Sequence, residues 1–427
     1  MKILKQLITL ALLPLALYAQ DTTHKGSIIT SDGYPIALSR EDGLRLFPYK
    51  DSLEPLLGYV NTHAKGKIGL SKSVNAQLNI GKDIYISINL DLQMRVEEIL
   101  DRYKQTLDAQ EVLVMVMQSD AGQMVVMASS NRYNPNAIKQ EDVPSIVPKY
   151  ARYPYEPGSL MKPLTLAIAL DKQKVEPNTA FDLNDGNLNI GNNLILTDSE
   201  IHQYLSAEGI ILKDSHIGIS LISWLLTATE FRNGLDRFGL MDATGIELSY
   251  DKKGFVKSSE KLKDKTAQAG TALGYGLLTT PLQLLKAYNV FNNKGILIVP
   301  TFLTHTPSKQ THVISNNTSE QIHKILVENV RSGTGQNAQY DGLEVGGKTA
   351  MAYIFKNGKY RDEFHSSFYG FVNDTQGHKY SIGVVTIRPK AKHMQKASVT
   401  AVPVFREVVD AMAREKYLKK GLDYRFR

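Results

Sequence analysis

Apolar and polar residues follow two different periods along this chain of 427 residues. Towards both ends the period is that of strands, in which successive side chains alternate between two faces. Early strands are predicted at residues 83–90, 111–117 and 123–129, and late strands at residues 343–355, 366–372 and 379–387. Apolar residues at helical spacing predict a helix over residues 90–107, between the first two strands.

The middle of the chain has a helical period from Ser159 to about residue 332. Its clearest segments are PLTLAIAL, LISWLLTATEF, TPLQLLKAYNVF and SEQIHKILVENVR, and a last helix is predicted over residues 402–418. Strands segregated from helices are typical of the α+β class with an antiparallel sheet. We therefore predict one five-stranded sheet, built from residues 111–129 and 343–387, beside a helical lobe, with a cleft between them.

Three regions are predicted along the chain. Residues 1–20 join two lysines to a mostly apolar run, which is typical of a secretory signal and short for a membrane span. Leu17 is large for the third position before a cleavage site, so both a cleaved signal and a retained anchor stay open. Residues 21–82 are predicted to form a small β-containing region with little core, and residues 83–427 the main domain.

Composition indicates a folded protein without thiol chemistry. Hydrophobic residues make up 42% of the chain and charged residues 22%, as in globular proteins. The absence of cysteine excludes disulfides, thiolate metal sites and a cysteine nucleophile. The net charge of +7 fits either a solvated basic surface or attraction to anionic lipid and acidic wall material. The histidines lack metal-ligand spacing, so we expect no metal and no cofactor.

The candidate chemistry lies in the stretch YEPGSLMKP, where Ser159 precedes Lys162 by three residues. The same Ser-x-x-Lys spacing also occurs at Ser249 and Ser258, in polar stretches without an apolar run behind them. Proline is tolerated only in the first turn of a helix, so Pro163 requires the helix to begin close to Ser159. That position exposes Ser159 to the positive helix end, which favours a developing oxyanion.

Two interpretations of this pair remain open. If the apolar run buries the helix, Lys162 loses solvation, its pKa falls, and the neutral amine can take the proton of Ser159. In the alternative, Ser159 is an ordinary N-cap residue and Lys162 is a surface lysine.

The stretch EPGSLMKP resembles the first motif of the penicillin-binding proteins, the serine D,D-transpeptidases that crosslink peptidoglycan. Similarity to class B members extends over roughly residues 26–415, with a reduced N-terminal region. The resemblance implies a five-stranded antiparallel sheet flanked by helices, plus an all-helical lobe. It implies that Ser159 is the acylated nucleophile and Lys162 its base. Lys348 would supply positive charge, and Thr349 a hydroxyl for the donor carboxylate.

The second and third motifs depart from the family pattern. Asp214, Ser215 and His216 stand where the family has Ser-x-Asn. An ionised Asp214 could only accept hydrogen bonds and could keep Lys162 charged, whereas Ser215 could act after a shift of one residue. His216 has either a structural role or the role of the family's asparagine. In the third motif, Ala350 adds a methyl group where the family has glycine, and Met351 removes a hydroxyl.

Three functions follow in order of preference. The first is a peptidoglycan D,D-transpeptidase that acts through a Ser159 acyl-enzyme and binds β-lactams covalently. The alternative is a catalytically impaired scaffold or regulator of a wall-synthesis complex, and the third is a D,D-carboxypeptidase or β-lactamase. Expected partners are stem peptides, β-lactams and other wall-synthesis proteins, with possible membrane anchoring and no nucleic acid. The expected location is the periplasmic face of the inner membrane.

Overall fold

The computed structural model describes residues 25–40, 45–61, 65–190, 195–391 and 396–421. The predicted signal or anchor at residues 1–20 lies outside these ranges. Within them, no helix combines the length and apolar character needed to cross a membrane.

The N-terminal region forms a small sheet and three short helices. The strands are β1 (Ile28–Ile29), β2 (Pro35–Ser39), β3 (Arg45–Leu46) and β4 (Ile84–Tyr85), in the spatial order β3-β2-β1-β4. The helices are α1 (Glu54–Leu57), α2 (Gly69–Ser73) and α3 (Asn75–Asn79). The small β-containing N-terminal region expected from the sequence is therefore present.

The main sheet has five strands, and all neighbouring strands in it are antiparallel. They are β5 (Glu111–Gln118), β6 (Met124–Ser129), β13 (Glu344–Lys356), β14 (Lys359–Asn373) and β15 (Lys379–Ile387), in the order β13-β14-β15-β5-β6. Two early and three late strands thus form one sheet, which confirms the predicted α+β architecture. Strand β13, which carries the third motif, lies at the edge of the sheet.

Helices cover both faces of the sheet, and this explains why its strands are apolar on both sides. On one face α4 (Leu90–Thr106) and α13 (Ala401–Arg414) pack against the strands. On the other face lies α11 (Pro281–Asn292), which joins the sheet to the helical lobe. Seven of the eight residues of β5 are buried as a result.

The lobe and its connections contain the remaining elements. Its helices are α5 (Lys149–Arg152), α6 (Met161–Asp171), α7 (Ala207–Leu212), α8 (His216–Trp224), α9 (Ala228–Arg237), α10 (Lys265–Ala272) and α12 (Asn316–Ser332). Short two-stranded sheets pair β7 (Ala180–Asp182) with β10 (Tyr204–Ser206), β8 (Asn187–Asn189) with β9 (Ile195–Thr197), and β11 (Ile296–Ile298) with β12 (Gln310–His312).

The last helix ends at Arg414, four residues before the predicted end, and β14 begins seven residues before the predicted strand at 366–372. Two further elements differ from the prediction because a helix cap intervenes. The strand expected at residues 83–90 is confined to β4, because Asn89 accepts a hydrogen bond from the backbone N–H of Leu92 (2.8 Å) and starts α4. The segment LISWLLTATEF is not one helix. Thr227 and Glu230 form a capping box that starts α9 after α8 has ended.

The turn that carries Ser159 needs glycine on both sides of a close backbone contact. This serine turn, Gly158–Leu160, is a short 3₁₀ segment before α6. Gly158 has a φ of 60° and Gly274 a φ of 87°, and a Cβ atom on Gly274 would lie 2.1 Å from the carbonyl oxygen of Gly158. No side chain fits between the two backbones.

We expect Gly274→Ala to destabilise the protein more than Gly358→Ala. Gly358 also has a positive φ, of 77°, but a Cβ atom there meets nothing within 4 Å. The control therefore carries only the left-handed backbone strain of about 1–2 kcal/mol, while Gly274→Ala adds about 1–3 kcal/mol for displaced backbone. Denaturant unfolding of both variants measures the difference, and equal losses would contradict the close contact.

Candidate active site

Ser159 lies in the serine turn, and α6 begins two residues later at Met161. Pro163 consequently falls in the first turn of α6, as its chemistry requires. Ser159 does not cap this helix. Its hydroxyl donates instead to Oδ2 of Asp214, at 3.2 Å. The side chain of the candidate nucleophile is therefore directed at the second motif.

Lys162 is fully buried, with 0% of its surface exposed, so the interpretation of a surface lysine is wrong. Its ammonium contacts Oδ1 of Asp214 at 2.8 Å and also donates to the main-chain carbonyl of Asp214. Burial lowers the pKa of Lys162 to about 8, although the charge of Asp214 opposes this effect. At pH 7 about a tenth of the molecules would hold Lys162 as the neutral amine.

Lys348 reaches the same carboxylate from β13. It is also 0% exposed, and its Nζ lies 2.8 Å from Oδ1 of Asp214. Burial raises the pKa of Asp214, but the two ammonium groups outweigh that effect and hold the pKa well below its usual range. Asp214 is therefore ionised, and its carboxylate joins Ser159, Lys162 and Lys348.

Asp214 adopts a left-handed backbone conformation, with a φ of 55°. Asp and Asn are the side-chain-bearing residues that tolerate this conformation best. The turn places Asp214 immediately before Ser215, the N-cap residue of α8.

Ser215 caps α8 and does not contact the nucleophile, whereas His216 lies close enough to Lys162 and Asp214 to be affected by their charges. The hydroxyl of Ser215 accepts from the N–H of Gly218 (2.8 Å) and donates to Asp198 (2.5 Å), so Asp214 rather than Ser215 meets Ser159. His216 lies in the first turn of α8. The positive charge of Lys162, together with burial, lowers the pKa of His216 to about 4, so its ring is neutral at pH 7.

Asp198 is a positioning residue that the sequence did not reveal. Its carboxylate accepts from the backbone N–H groups of His216 (2.5 Å) and Ile217 (3.2 Å) and from the hydroxyl of Ser215. These contacts anchor the start of α8, and hence the loop that carries Asp214. Asp198 lies 17 positions from Ser215 in the chain. No local sequence pattern marks a hydrogen bond between residues so far apart.

The third motif lines a groove of about 600 Å³ beside Asp214. Thr349, Ala350 and Met351 form one wall of this groove, with Thr334 next to them. The hydroxyl of Thr349 donates to that of Thr334, at 2.9 Å. The methyl group of Ala350 is accommodated within the apolar core between sheet and lobe, where the residue is 4% exposed.

Asn329, near the end of α12, links Thr334 to strand β13. Its side-chain amide donates to the carbonyl of Gly347 (2.7 Å), and its oxygen accepts from the N–H of Thr334 (3.2 Å). Thr334 and Asn329 are further residues that sequence reasoning missed. Within the described ranges, no group of His, Asp and Glu side chains could hold a metal ion.

Known proteins are similar to this chain in sequence and fold. Residues 112–410 match the model of the penicillin-binding protein transpeptidase domain. A probable peptidoglycan D,D-transpeptidase PenA of Neisseria flavescens is 29% identical over 379 residues, which is 88% of this chain and 92% of that protein. The PenA of Neisseria meningitidis strain Z2491 is 27% identical, but the chain spans only 56% of its length.

A solved structure agrees with this comparison. A putative peptidoglycan glycosyltransferase from Atopobium parvulum has 27% identity and a TM-score of 0.82, and the match covers 91% of this chain and 97% of that one. These similarities confirm the resemblance drawn from the motifs.

We expect Asp198→Ala to destabilise the protein by about 1–3 kcal/mol, because buried donors of α8 lose their acceptor. Glu200→Ala, two residues away, is the matched control. Glu200 is 64% exposed at its side chain and makes only loose contacts, to His202 (3.3 Å) and Lys213 (3.6 Å). Its loss should stay within about 0.5 kcal/mol in the same denaturant titration. Similar values for both variants would contradict the anchoring role of Asp198.

Proposed function

Because this chain belongs to the penicillin-binding protein transpeptidase family, and is by class a serine D,D-transpeptidase, we propose that it crosslinks peptidoglycan stem peptides through an acyl-enzyme on Ser159. The same serine would bind β-lactams covalently. One observation carries the proposal: Ser159 shares a carboxylate with a fully buried lysine whose pKa lies near neutrality.

In the proposed first step, Oγ of Ser159 attacks the carbonyl carbon between the two terminal D-alanines of the donor peptide. The new ester bond forms while the peptide C–N bond breaks. The hydroxyl proton passes to neutral Lys162 and then to the departing amine of D-alanine. Asp214 holds both partners of the proton transfer, Ser159 through Oδ2 and Lys162 through Oδ1.

In the second step, the amine of an acceptor stem peptide attacks the ester carbonyl. An amide crosslink forms, the C–Oγ bond breaks, and the amine proton returns to Ser159 by way of Lys162. The serine turn leads directly into the N-terminal end of α6, whose positive dipole end favours negative charge on the carbonyl oxygen in both steps. Lys348 and Thr349 are proposed to face the leaving end of the donor.

A second function, that of a catalytically impaired scaffold, is favoured by one specific observation. The Asp214 carboxylate stabilises the ammonium form of Lys162, which cannot act as a base.

We further propose that the chain is exported to the periplasmic face of the inner membrane, cleaved or anchored at residues 1–20, and that wall-synthesis proteins are its partners. The basic and apolar composition of those residues supports this location.

Incubation of the protein with a reporter penicillin tests the acyl-enzyme directly. Intact-mass and peptide-mass measurements should show one adduct, on the peptide that contains Ser159, and Ser159→Ala should abolish it. Ser258→Ala is the control, because Ser258 shares the Ser-x-x-Lys spacing but lies exposed on the surface. A persistent adduct supports a transpeptidase, and rapid release supports hydrolysis. Folded protein without any adduct would reject the enzyme in favour of the scaffold.

The acylation rate should rise with pH through about 8, since only neutral Lys162 accepts the proton. Asp214→Asn removes the charge that raises the pKa of Lys162. The midpoint of the pH profile should therefore move to lower pH, by about one unit or more. Pseudo-first-order acylation rates measured between pH 6 and 10 test this shift. This range extends about two pH units to each side of the midpoint. A midpoint that stays in place would exclude coupling between Asp214 and the base.

A further inference from the structure

We propose that Asp214 sets the substrate specificity of the site, because it occupies the Lys348 ammonium that would otherwise bind a donor carboxylate. The site would then accept neutral acyl donors, such as amidated peptide ends and β-lactam esters, about as readily as donors with a free carboxylate. This inference rests on the proposed acyl transfer at Ser159 and concerns which donors that reaction uses.

The contacts of Lys348 leave little of its ammonium for a ligand. Oδ1 of Asp214 lies 2.8 Å from its Nζ, and the Nζ also donates to the main-chain oxygen of Thr349, at 3.2 Å. One of the three donor hydrogens of the ammonium is therefore used by Thr349, and its charge is paired with Asp214. Lys348 itself is completely buried, whereas its partner Asp214 lines the groove, so a carboxylate in the groove would meet the charge of Asp214.

The charge balance of the reactive state leads to the same conclusion. Acylation requires neutral Lys162, and of the three groups that meet at Oδ1 the charges that remain are then the ammonium of Lys348 and the carboxylate of Asp214. These two charges cancel each other. An incoming carboxylate would be attracted by Lys348 and repelled by Asp214, whereas a neutral residue at position 214 would remove that repulsion.

The third motif and the two lysines that line the groove are poorly placed to compensate. The hydroxyl of Thr349 already donates to Thr334, and Met351 offers no hydroxyl. Lys213 lies 3.6 Å from the carboxylate of Glu200, which also lines the groove. Lys396 is exposed at the rim, where water screens its charge and an ion pair contributes little.

Two forms of one β-lactam test the specificity: a penicillin with its free carboxylate, and the methyl ester of the same compound. In both, Oγ of Ser159 bonds to the lactam carbonyl carbon, the ring C–N bond opens, and the hydroxyl proton ends on the ring nitrogen. The ratio of the two acylation rate constants, acid over ester, is measured by intact mass. A change in the basicity of Lys162 alters both rates alike, so the ratio reports only on carboxylate recognition.

For the unmodified protein we expect a ratio below about ten, and Asp214→Asn should raise it at least about fivefold. Asparagine suits the left-handed backbone at this position, and Asp214→Ser provides a second neutral variant if asparagine impairs folding. Glu200→Gln is the matched control. It removes a carboxylate from the same groove without touching Lys348, and should change the ratio less than about twofold.

Three results would overturn the inference. One is a ratio above about ten in the unmodified protein, and another is a rise smaller than about fivefold in both neutral variants. The third is a rise in the acid-over-ester ratio for Glu200→Gln as large as the rise for Asp214→Asn. It would show that the total charge of the groove sets the ratio, rather than Asp214 itself. Failure of both compounds to acylate any of these proteins would instead reject the proposed acyl transfer, and this inference with it. If adducts form but neither neutral variant at position 214 changes the ratio, this inference is rejected and the proposed acyl transfer is not.

Discussion

The site depends on the burial of two lysines around one carboxylate. Lys162 and Lys348 are both inaccessible to solvent, and both ammonium groups lie 2.8 Å from Oδ1 of Asp214. Removing an ion from water costs several kcal/mol even after relaxation of the protein, and two like charges repel each other in addition. Asp214 offsets part of this cost. The result is a compromise in which Lys162 keeps a pKa of about 8 and Asp214 stays ionised.

Three separate parts of the chain must meet for this arrangement to form, and each is fixed by its own local contact. The serine turn lies against Gly274 and β13, where only a glycine backbone fits. The Asp214 loop is anchored by Asp198 at the start of α8. Thr334, beside the groove wall, is linked to β13 by Asn329. The lysines are therefore held by a rigid framework, which limits the reorganisation needed at the moment of reaction.

The sequence predicted the features that depend on period and on local sterics. The sheet and the position of Pro163 follow from the apolar pattern and the rigid proline ring. The burial of Lys162 was one of two interpretations that the sequence left open, and the structure selects it. Asp198 and Thr334 could not be predicted, because each acts through a contact between residues that are distant in the chain, and no periodicity marks such contacts. The end of strand β4 was misjudged for a related reason. The carboxylate of Asp32, far upstream, accepts from the N–H of Leu90 (2.9 Å) and helps to start α4 there.

The charge of Asp214, in the second motif, stabilises the folded protein and at the same time lowers the reactivity proposed for the site. A neutral residue at position 214 would leave two buried ammonium groups without a counter-charge, and the molecule could respond most simply by releasing the proton of one of them. Lys162 is the lysine whose pKa burial already lowers, so it would be that group. The carboxylate thus stabilises the resting protein through the same charge that holds back the base. A chain with Asp214 gains one counter-charge shared by the two buried lysines, and only a fraction of Lys162 is then neutral near pH 7. Under the proposed acyl transfer, Asp214 would therefore restrain the base without removing Ser159, Lys162 or Lys348 from the site.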